Sequence, residues 1–360
     1  MKLTVTQNDL AKALGNVSRI AIAQSGNPML GNVLLRTDAN KLIVTATNLE
    51  VVMVDTISAK IASEGAIAVP AKVLTEFICN LPNTEVEIEV KNNLIYIKAG
   101  TYQSTINAVD PEDYPAIPES DETKTFEISA EDLKEIASRV AIIASTDTAR
   151  PILTGVYFNT DDEGRLCLAA TDGYRMAELK LMKLDTEVKM NVPYRAIQDA
   201  MRIAAGSDTV LVKYSDDQIS FVAANARVTS RLIDGKYIDY RSLVPKSTKF
   251  TVTLNRAEWI KAAKIAEPFS RPGSTIIIKV EGNVLRVRSV AGQMGVNSSE
   301  LAVQADGGDM AFNINCHYLV EALNCLHGED VVVHNDGKMM PIILTGDQDN
   351  YLHLVMPMRN

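Results

Sequence analysis

The residue types that most often hold a metal ion are few in this chain and poorly spaced for that role. Its histidines are His317, His327, His334 and His353, and none of them forms a His-x3-His pair. Cys316, His317, Cys325 and His327 lie near one another in the sequence, but nine residues, more than two helical turns, separate the two cysteines. We therefore predict no metal site and assign these side chains to core and surface positions.

No arrangement of carboxylates or nucleophiles is typical of a catalytic centre. The run Asp161-Asp162-Glu163-Gly164 has the composition of a solvated turn, and Asp110, Glu112 and Asp113 stand beside prolines, as in a linker. Neither cluster places a nucleophile beside a base. We predict a protein with no catalytic residues and no cofactor. The alternative, an enzyme acting on a saccharide or a nucleotide, would need a titratable pair in a deep cleft.

The composition limits the kinds of partner. Of the 360 residues, 46% are hydrophobic and 22% are charged, as in ordinary globular domains. The formal net charge is −9, which excludes a protein that holds nucleic acid over its whole surface and makes any anion-binding surface local. Aromatic residues form 5% of the chain, which argues against a platform that stacks several bases.

The chain start and the cysteines predict a cytoplasmic protein. Residues 1–9 lack the apolar stretch of a signal peptide, and no run approaches the ~18 apolar residues that span a bilayer. The four cysteines, Cys79, Cys167, Cys316 and Cys325, have no short paired spacing and suit buried positions in a reducing compartment. We therefore expect no membrane partner.

One sequence pattern occurs three times. A strand-like segment precedes an amphipathic helix, and the apolar positions of that helix recur at i, i+3, i+4 and i+7. Leu10 and Leu133 occupy matching positions 123 residues apart, and Trp259 follows Leu133 by 126 residues. A second helix recurs at the same period: it opens at Pro70 and Pro193, and Asn315 is placed to cap its third copy.

These patterns predict six helices, at 7–24, 70–80, 129–145, 193–206, 255–271 and 315–327, with about eight short alternating strands in each third. The fold class is therefore α+β, built from three tandem domains that each pack two helices on β-sheets. Units of ~120 residues are large enough to own a core, unlike the 20–45-residue repeats of a solenoid. We predict domains at 1–120, 121–245 and 246–360.

Positive charge is concentrated on the predicted helices, which hold 11 basic and nine acidic residues. Lys12, Asn16 and Arg19, for example, stand away from the apolar face that contains Leu10 and Leu14. A solvated helix face explains any one such pattern. Its recurrence predicts one continuous surface that meets phosphates without reading bases. A three-domain scaffold or adhesion module with no DNA role would instead present an acidic helical face.

Several segments make the chain resemble the bacterial DNA polymerase III beta subunit, the sliding-clamp family. They are Met1–Val5, Val69–Ala71, Ala170–Ala177, Leu232–Tyr240 and Val355–Arg359. The resemblance covers residues 1–360 and all three repeats. It implies that two chains dimerise head to tail into a six-domain ring, with sheets outside and helices inside.

The resemblance also implies a function. Such a clamp encircles duplex DNA without reading its sequence and tethers the replicative DNA polymerase, which makes synthesis processive. The implied partners further include the clamp loader, and other DNA polymerases and repair proteins that bind through short linear motifs. The residues expected to face the DNA are Lys12, Arg19, Lys72, Arg150, Arg195, Arg202, Lys261 and Lys264. The loops at Gln24 and Asp147 are not expected to add strong DNA contacts.

The family's pocket for partner peptides carries over to this chain position by position. It comprises Leu153, Thr171, Gly173, Tyr174, Arg175, Met176, Ile238, Ser242, Leu243, Asn315, Tyr318, Met339, Pro341, Leu354, Met356, Pro357, Met358 and Arg359. Its methionines would form an adaptable apolar surface, and Arg175 and Asn315 would hold polar groups of the peptide. Tyr174, Ser242 and Asn360 differ from the residues of some relatives, which predicts a retained pocket with a shifted peptide preference.

Two segments are predicted to join the subunits of a homodimer. Tyr102–Ala108 of one chain and Met294–Glu300 of the other are strand-like and could extend a sheet between two copies. The C-terminal segment Leu354–Met358 is expected to lie at a sheet edge, because Pro357 has no N–H group to donate.

Overall fold

The computed structural model describes residues 1–23, 26–115, 123–245, 248–270, 273–291, 295–337, 339–347 and 350–359. Gln24, Met294 and Asn360 lie outside the described residues, as do 116–122 and 246–247, which flank the two predicted domain boundaries. The domain limits therefore stay predictions.

The described helices and strands follow the same order in all three repeats, except that the second repeat has four strands between its two helices and the others have five. The first repeat has β1 (Lys2–Thr6), α1 (Gln7–Val17), β2 (Asn32–Asp38), β3 (Lys41–Thr47), β4 (Val51–Ser58), β5 (Lys60–Ser63), β6 (Ala66–Pro70), α2 (Ala71–Cys79), β7 (Glu85–Lys91), β8 (Leu94–Ala99) and β9 (Tyr102–Asn107). The second has β10 (Lys124–Ser129), α3 (Ala130–Glu135), β11 (Gly155–Thr160), β12 (Arg165–Thr171), β13 (Arg175–Lys183), β14 (Lys189–Pro193), α4 (Tyr194–Ile203), β15 (Thr209–Tyr214), β16 (Gln218–Ala223) and β17 (Ala226–Arg231). The third has β18 (Phe250–Asn255), α5 (Arg256–Ala266), β19 (Thr275–Glu281), β20 (Val284–Ala291), β21 (Gly295–Ala302), β22 (Gln304–Asp306), β23 (Met310–Asn315), α6 (Cys316–Cys325), β24 (Asp330–Asn335), β25 (Ile342–Thr345) and β26 (Tyr351–Val355).

The same local device starts the first helix of each repeat. The last residue of the preceding strand caps the helix, and its side-chain oxygen accepts a hydrogen bond from the amide three residues later. The capping residue is Thr6 in the first repeat, Ser129 in the second and Asn255 in the third. The distances from the amide nitrogen to the capping oxygen are 3.2, 2.9 and 3.0 Å, respectively. The tandem α+β repeats predicted from the sequence are confirmed.

The helices are shorter than the sequence pattern predicted. α1 ends at Val17 rather than at residue 24, and the Ser18 amide already closes its last turn on Leu14 O. α3 covers only 130–135, since the chain continues as a π-helical turn over Ile136–Val140 and a 3-10 turn over Ala141–Ile143. Periodicity detects the buried face but does not distinguish these tighter and wider turns from α-helix.

One compact unit consists of residues 1–134 and 195–232. It contains a five-stranded sheet with the order β5-β1-β7-β8-β9 and an eight-stranded sheet with the order β10-β15-β16-β17-β4-β3-β2-β6. Helices α1 and α2 meet where the Gln7 side chain donates a 2.8 Å hydrogen bond to Ile78 O. Leu10, Leu14 and Val17 are fully buried on the core face of α1.

The second compact unit consists of residues 135–194 and 233–360. Its sheets are nine-stranded, β14-β11-β12-β13-β26-β25-β24-β18-β22, and four-stranded, β21-β20-β19-β23. Cys316 Sγ donates to Ala263 O at 3.2 Å, which joins α6 to α5. Trp259, the single tryptophan of the chain, is fully buried on α5.

In each unit, one sheet continues from one repeat into the next, and we call the joining strand pair a seam. The first seam pairs β17 with β4, antiparallel, with Ala226 opposite Asp55 and Ser230 opposite Val51. The second seam pairs β26 with β13, antiparallel, with Val355 opposite Arg175. Both seams therefore join the last strand of a repeat to the third strand that follows the first helix of the preceding repeat.

Candidate functional site

All eighteen predicted pocket residues belong to the second unit, and the second seam provides their floor. Met176 on β13 lies opposite Leu354 on β26, and both are fully buried against Tyr237, Tyr240 and neighbouring apolar side chains. Thr171 and Leu153 are buried as well. These four predicted residues support the site from below and offer little surface to a ligand.

Most of the exposed side chains of the predicted pocket are apolar. The large ones are Tyr174, Ile238, Leu243, Met339 and Met356, whose exposed fractions run from 38% to 60%, and Gly173, Ser242 and Arg359 are exposed as well. Large apolar side chains at this level of exposure are available to bury surface against a partner. We call these five residues, together with the buried floor at Met176 and Leu354, the partner groove.

The C-terminal segment is held in the groove by two backbone hydrogen bonds. The amide of Met356 donates to Tyr174 O and that of Met358 donates to Asn313 O, each at 2.8 Å. The expectation that Leu354–Met358 forms a sheet edge is wrong, because β26 has β13 on one side and β25 on the other. Pro357 follows the end of β26, where the ladder no longer needs its N–H group.

Arg175 is fixed by partners within the protein. Its guanidinium lies 3.0 Å from Asp172 Oδ2, forms a close ion pair with Glu321, and stacks 4.6 Å from the ring centre of Tyr318. Burial alone would lower the pKa of Arg175, but the Glu321 and Asp172 carboxylates outweigh it and raise that pKa. The side chain therefore orients Tyr318 at the groove. A direct contact of Arg175 with a peptide stays a prediction.

Asn315, another predicted pocket residue, caps helix α6. Its Oδ1 accepts hydrogen bonds from the amides of His317 and Tyr318, at 2.9 and 3.3 Å, and so caps α6. That oxygen is committed to the helix, which leaves the side-chain amide group as the part available to a ligand. Glu321 lies on α6, one turn beyond Tyr318, and forms the ion pair that holds Arg175. The sequence did not predict this ion pair, because no spacing rule links Glu321 to Arg175.

The hairpin between β12 and β13 shapes one end of the groove. Thr171 Oγ1 accepts from Gly173 N at 3.1 Å and donates to Arg175 O at 2.6 Å. Gly173 has φ +93°, and a Cβ there would lie 3.3 Å from Arg150 Nη1. Arg150, which was predicted to face DNA, therefore lies beside this hairpin and is ion-paired with Asp147 at 3.1 Å.

The chain between the second and third repeats does more than connect them. The Tyr237 ring stacks on that of Tyr157 with centres 4.7 Å apart, and Tyr240 Oη donates to Glu178 Oε1 at 2.7 Å. Burial, together with the adjacent Glu178 carboxylate, raises the pKa of Tyr240 well above its usual value. These tyrosines hold the segment with Ile238 and Leu243 on the sheet. The sequence shows the Asp-Tyr pattern, but only as a boundary signal.

All eight residues predicted to face DNA have exposed side chains. Lys12, Lys72, Arg195, Arg202, Lys261 and Lys264 lie on α-helices, whereas Arg19 follows the end of α1 and Arg150 lies in a loop. Arg202 forms a close ion pair with Asp199, which reduces the net charge that it presents. That the eight side chains share one DNA-facing surface stays a prediction.

Two of the strands that end the described sheets occupy matching places in the first and third repeats. They are β9, at one edge of the five-stranded sheet, and β21, at one edge of the four-stranded sheet. Tyr102 on β9 and Val296 on β21 are more than half exposed. An unpaired edge with exposed apolar side chains is a template for pairing with another chain.

Within the described ranges, no group of three or more His, Cys, Asp or Glu side chains could hold a metal ion. Burial raises the pKa of the Cys167 and Cys316 thiols to about 11, so neither is a ready nucleophile. In the same part of the chain, no helix combines the length and apolar character needed to cross a membrane.

Known proteins of one family match this chain along its whole length. Residues 1–118, 127–239 and 241–359 match the N-terminal, central and C-terminal domains of the DNA polymerase III beta subunit. The chain is 30% identical over 373 residues to the beta sliding clamp of Synechococcus elongatus, which covers all of this chain and 99% of that one. It is 26% identical to the beta sliding clamp of Bacillus subtilis, and the match covers all of both chains.

Solved structures of sliding clamps have the same fold as this chain. The DNA polymerase sliding clamp of Pseudomonas aeruginosa is 25% identical, with a TM-score of 0.94, and the beta sliding clamp of C. crescentus is 25% identical, with a TM-score of 0.95. Each match covers all of both chains. Three tandem domains, an apolar groove at a seam and full-length similarity together establish that this chain belongs to the DNA polymerase III beta subunit family, the sliding clamps.

Proposed function

We propose that two copies of this chain close into a ring around duplex DNA and tether the replicative DNA polymerase to it. The observation that carries the proposal is the position of two edge strands, β9 and β21, each of which has one strand neighbour among the described residues. They occupy the positions in the first and third repeats that form seams elsewhere in the chain.

The seams give the rule by which two copies would join. Each pairs the last strand of a repeat with the third strand after the first helix of another repeat, always antiparallel. By this rule, β9 of one copy pairs with β21 of another. The five-stranded and four-stranded sheets would then form one sheet as wide as the nine-stranded sheet. Two such joints related by a two-fold axis close a ring of six domains.

A closed ring keeps its DNA by topology, so strong contacts are not required. The exposed basic residues on α1, α2, α4 and α5 would then make weak contacts with phosphates that do not depend on sequence and that weaken as salt is added. The acidic remainder of the chain disfavours DNA binding elsewhere on the protein. In this role the chain catalyses nothing, and its four free cysteines suit the reducing cytoplasm.

The partner groove would bind short linear motifs of the polymerase, the clamp loader and other DNA polymerases and repair proteins. Its exposed apolar side chains offer burial worth about 25 cal/mol per Å², before the cost of ordering the peptide. Met339 and Met356 can adopt several rotamers, which suits partners whose motifs differ.

A proline on the free edge tests the proposed dimer. Ala108 N donates to Asn93 O, and strand alternation then directs the amide of Thr105 away from β8, toward the free edge of β9. Thr105→Pro therefore removes an outward donor and no bond of the sheet to which it belongs. We expect light scattering to give twice the chain mass of 39.3 kDa for the wild type and a single chain for the variant.

The matched control is Ala62→Pro on β5, the opposite edge of the same sheet. We expect this variant to stay dimeric, because β5 takes no part in the proposed joint. A monomeric wild type at micromolar concentration, or a Thr105→Pro variant that dimerises as well as the control, would contradict the proposed ring.

A further inference from the structure

A second groove lies at the first seam, in the unit formed by residues 1–134 and 195–232. It encloses about 210 Å³ between the β3–β4 hairpin and strands β16 and β17. Leu49, Glu50 and Val52 line one side, and Asp217, Arg227 and Arg231 line the other. We call these six residues the seam groove. Its hairpin occupies the position in the first repeat that the β12–β13 hairpin of the partner groove occupies in the second.

Leu49 has an unusual conformation. Its φ of +76° lies in the left-handed region, and Gly173 fills the matching hairpin position of the second repeat with φ +93°. Leucine rarely adopts this conformation, because its Cβ crowds the backbone there. The side chain is 57% exposed, so it is poorly buried in its own chain. A strained residue that exposes its apolar side chain indicates a functional constraint at the groove.

The charges in the seam groove are separated along its length. Arg227 lies between Val54 on β4 and Val222 on β16, so its nearest strand neighbours are apolar. At the other end, Arg231 N donates to Glu50 O and Leu232 N donates to Asp217 O, which brings two acidic residues beside Arg231. Arg227 and Arg231 are exposed, and neither has an ion-pair partner among the residues the structure describes. The end of the groove at Arg227 therefore carries a positive charge. The end at Arg231 carries a net negative charge, because Glu50 and Asp217 outnumber that arginine.

The described part of the connecting segment packs at a different place from its counterpart in the second unit. In the first unit, Tyr114 packs against Leu34 and Ala68, at the β2–β6 side of the eight-stranded sheet. In the second unit, Tyr240, which matches Tyr114, packs together with Tyr237 against Met176 and Leu354 of the second seam. The two grooves therefore differ in chemistry, and we do not expect them to take the same ligand.

We propose that the seam groove binds an extended peptide of a partner protein, with an acidic residue at Arg227, an aliphatic residue on Leu49 and Val52, and a basic residue at Glu50 and Asp217. Arg227 and Arg231 are four residues apart on one strand, about 13 Å at 3.3 Å per residue. Residues i, i+2 and i+4 of an extended peptide share one face and span the same length. The recognised pattern is therefore acidic-x-aliphatic-x-basic, read in either chain direction.

The test uses the full-length chain and a fluorescein-labelled peptide, Gly-Glu-Ser-Leu-Ser-Lys-Gly, with binding followed by fluorescence anisotropy. We expect saturable binding in the micromolar range, weakened at least tenfold when the peptide leucine is replaced by serine. Leu49→Gly should weaken binding at least tenfold while leaving the melting temperature unchanged or higher, because glycine tolerates the positive φ. Arg227→Glu should reverse the charge preference, so that the peptide with lysine at both ends binds more tightly than the original.

Arg36→Glu is the matched control: it makes the same charge change on an exposed residue of β2 in the same sheet, outside the groove. Deletion of residues 356–360 is the second control, since it removes part of the partner groove. Neither change should alter binding of the peptide. The proposal is overturned by the absence of saturable binding at 1 mM, by equal binding to Leu49→Gly, by equal loss in Arg36→Glu, or by loss in the deletion variant.

Discussion

His353 on β26 provides a quantitative test of how the second seam is held together. Its ring is completely buried, with Nδ1 2.9 Å from Tyr351 Oη. Tyr351 Oη donates its single proton to Arg139 O at 3.1 Å, so His353 Nδ1 must carry a proton and donate to Tyr351. His353 Nε2 then has no partner among the described residues. Burial, with a further contribution from the Arg175 charge, lowers the pKa of His353 to about 3.

The direction of the pH effect follows from that lowered pKa. The unfolded chain has a histidine pKa of about 6.5, so below pH 6.5 it binds a proton that the folded protein refuses. The stabilisation is complete above pH 6.5 and is lost progressively as the pH falls toward 3. Each pH unit in this window removes about 1.4 kcal/mol, which amounts to about 2 kcal/mol at pH 5.

Trp259 reports the result, since it is the single tryptophan and is buried in the same unit. The experiment compares urea unfolding of the wild type and of His353→Gln by tryptophan fluorescence between pH 7.5 and pH 5. Glutamine keeps a polar group beside Tyr351 but does not titrate, and the carboxylates common to both proteins cancel. We expect the free-energy difference between wild type and variant to shift by about 2 kcal/mol against the wild type at pH 5. Parallel pH profiles would refute the buried neutral histidine.

The other predictions concern the groove and the charged surface. Deleting residues 356–360 should abolish binding of the polymerase, measured by surface plasmon resonance, while light scattering still gives the same oligomer. Glu321→Gln should weaken peptide binding to the partner groove about tenfold, because Arg175 loses a partner and Tyr318 its orientation; an unchanged Kd would show that the ion pair does not position the groove. Replacing Lys12 and Lys261 by glutamine should lower the amount of protein loaded onto circular DNA at low salt, with unfolding free energies unchanged to within ~0.5 kcal/mol.

Much of the fold could be predicted from this sequence because the same signals occur three times. Apolar spacing around Leu10, Leu133 and Trp259 located the first helices, and turn residues located the strands. Helix ends were less predictable, since the capping of α1 by Ser18 and the π-helical turn after α3 depend on local backbone geometry. Sheet order at the seams joins residues far apart in sequence, which no periodicity encodes.

The sequence predicted which residues form the partner groove better than it predicted their exposure and contacts. The resemblance named the groove residues, but not that Met176 and Leu354 lie beneath its surface while Tyr174 and Met356 are exposed. The Arg175–Glu321 pair joins residues 146 positions apart, so only the folded structure reveals it. The edge position expected for the C-terminal segment was wrong because Pro357 stands beyond the strand rather than in it.

Topological retention tests the central claim most directly. The protein is assembled on a nicked circular plasmid with a clamp loader and ATP, and the complex is then washed at 0.5 M salt, where phosphate contacts are screened. We predict that the protein stays on the circle through gel filtration and leaves when a restriction enzyme linearises the plasmid. Release from the intact circle at high salt, or equal retention on linear and circular DNA, would contradict a ring that encircles DNA.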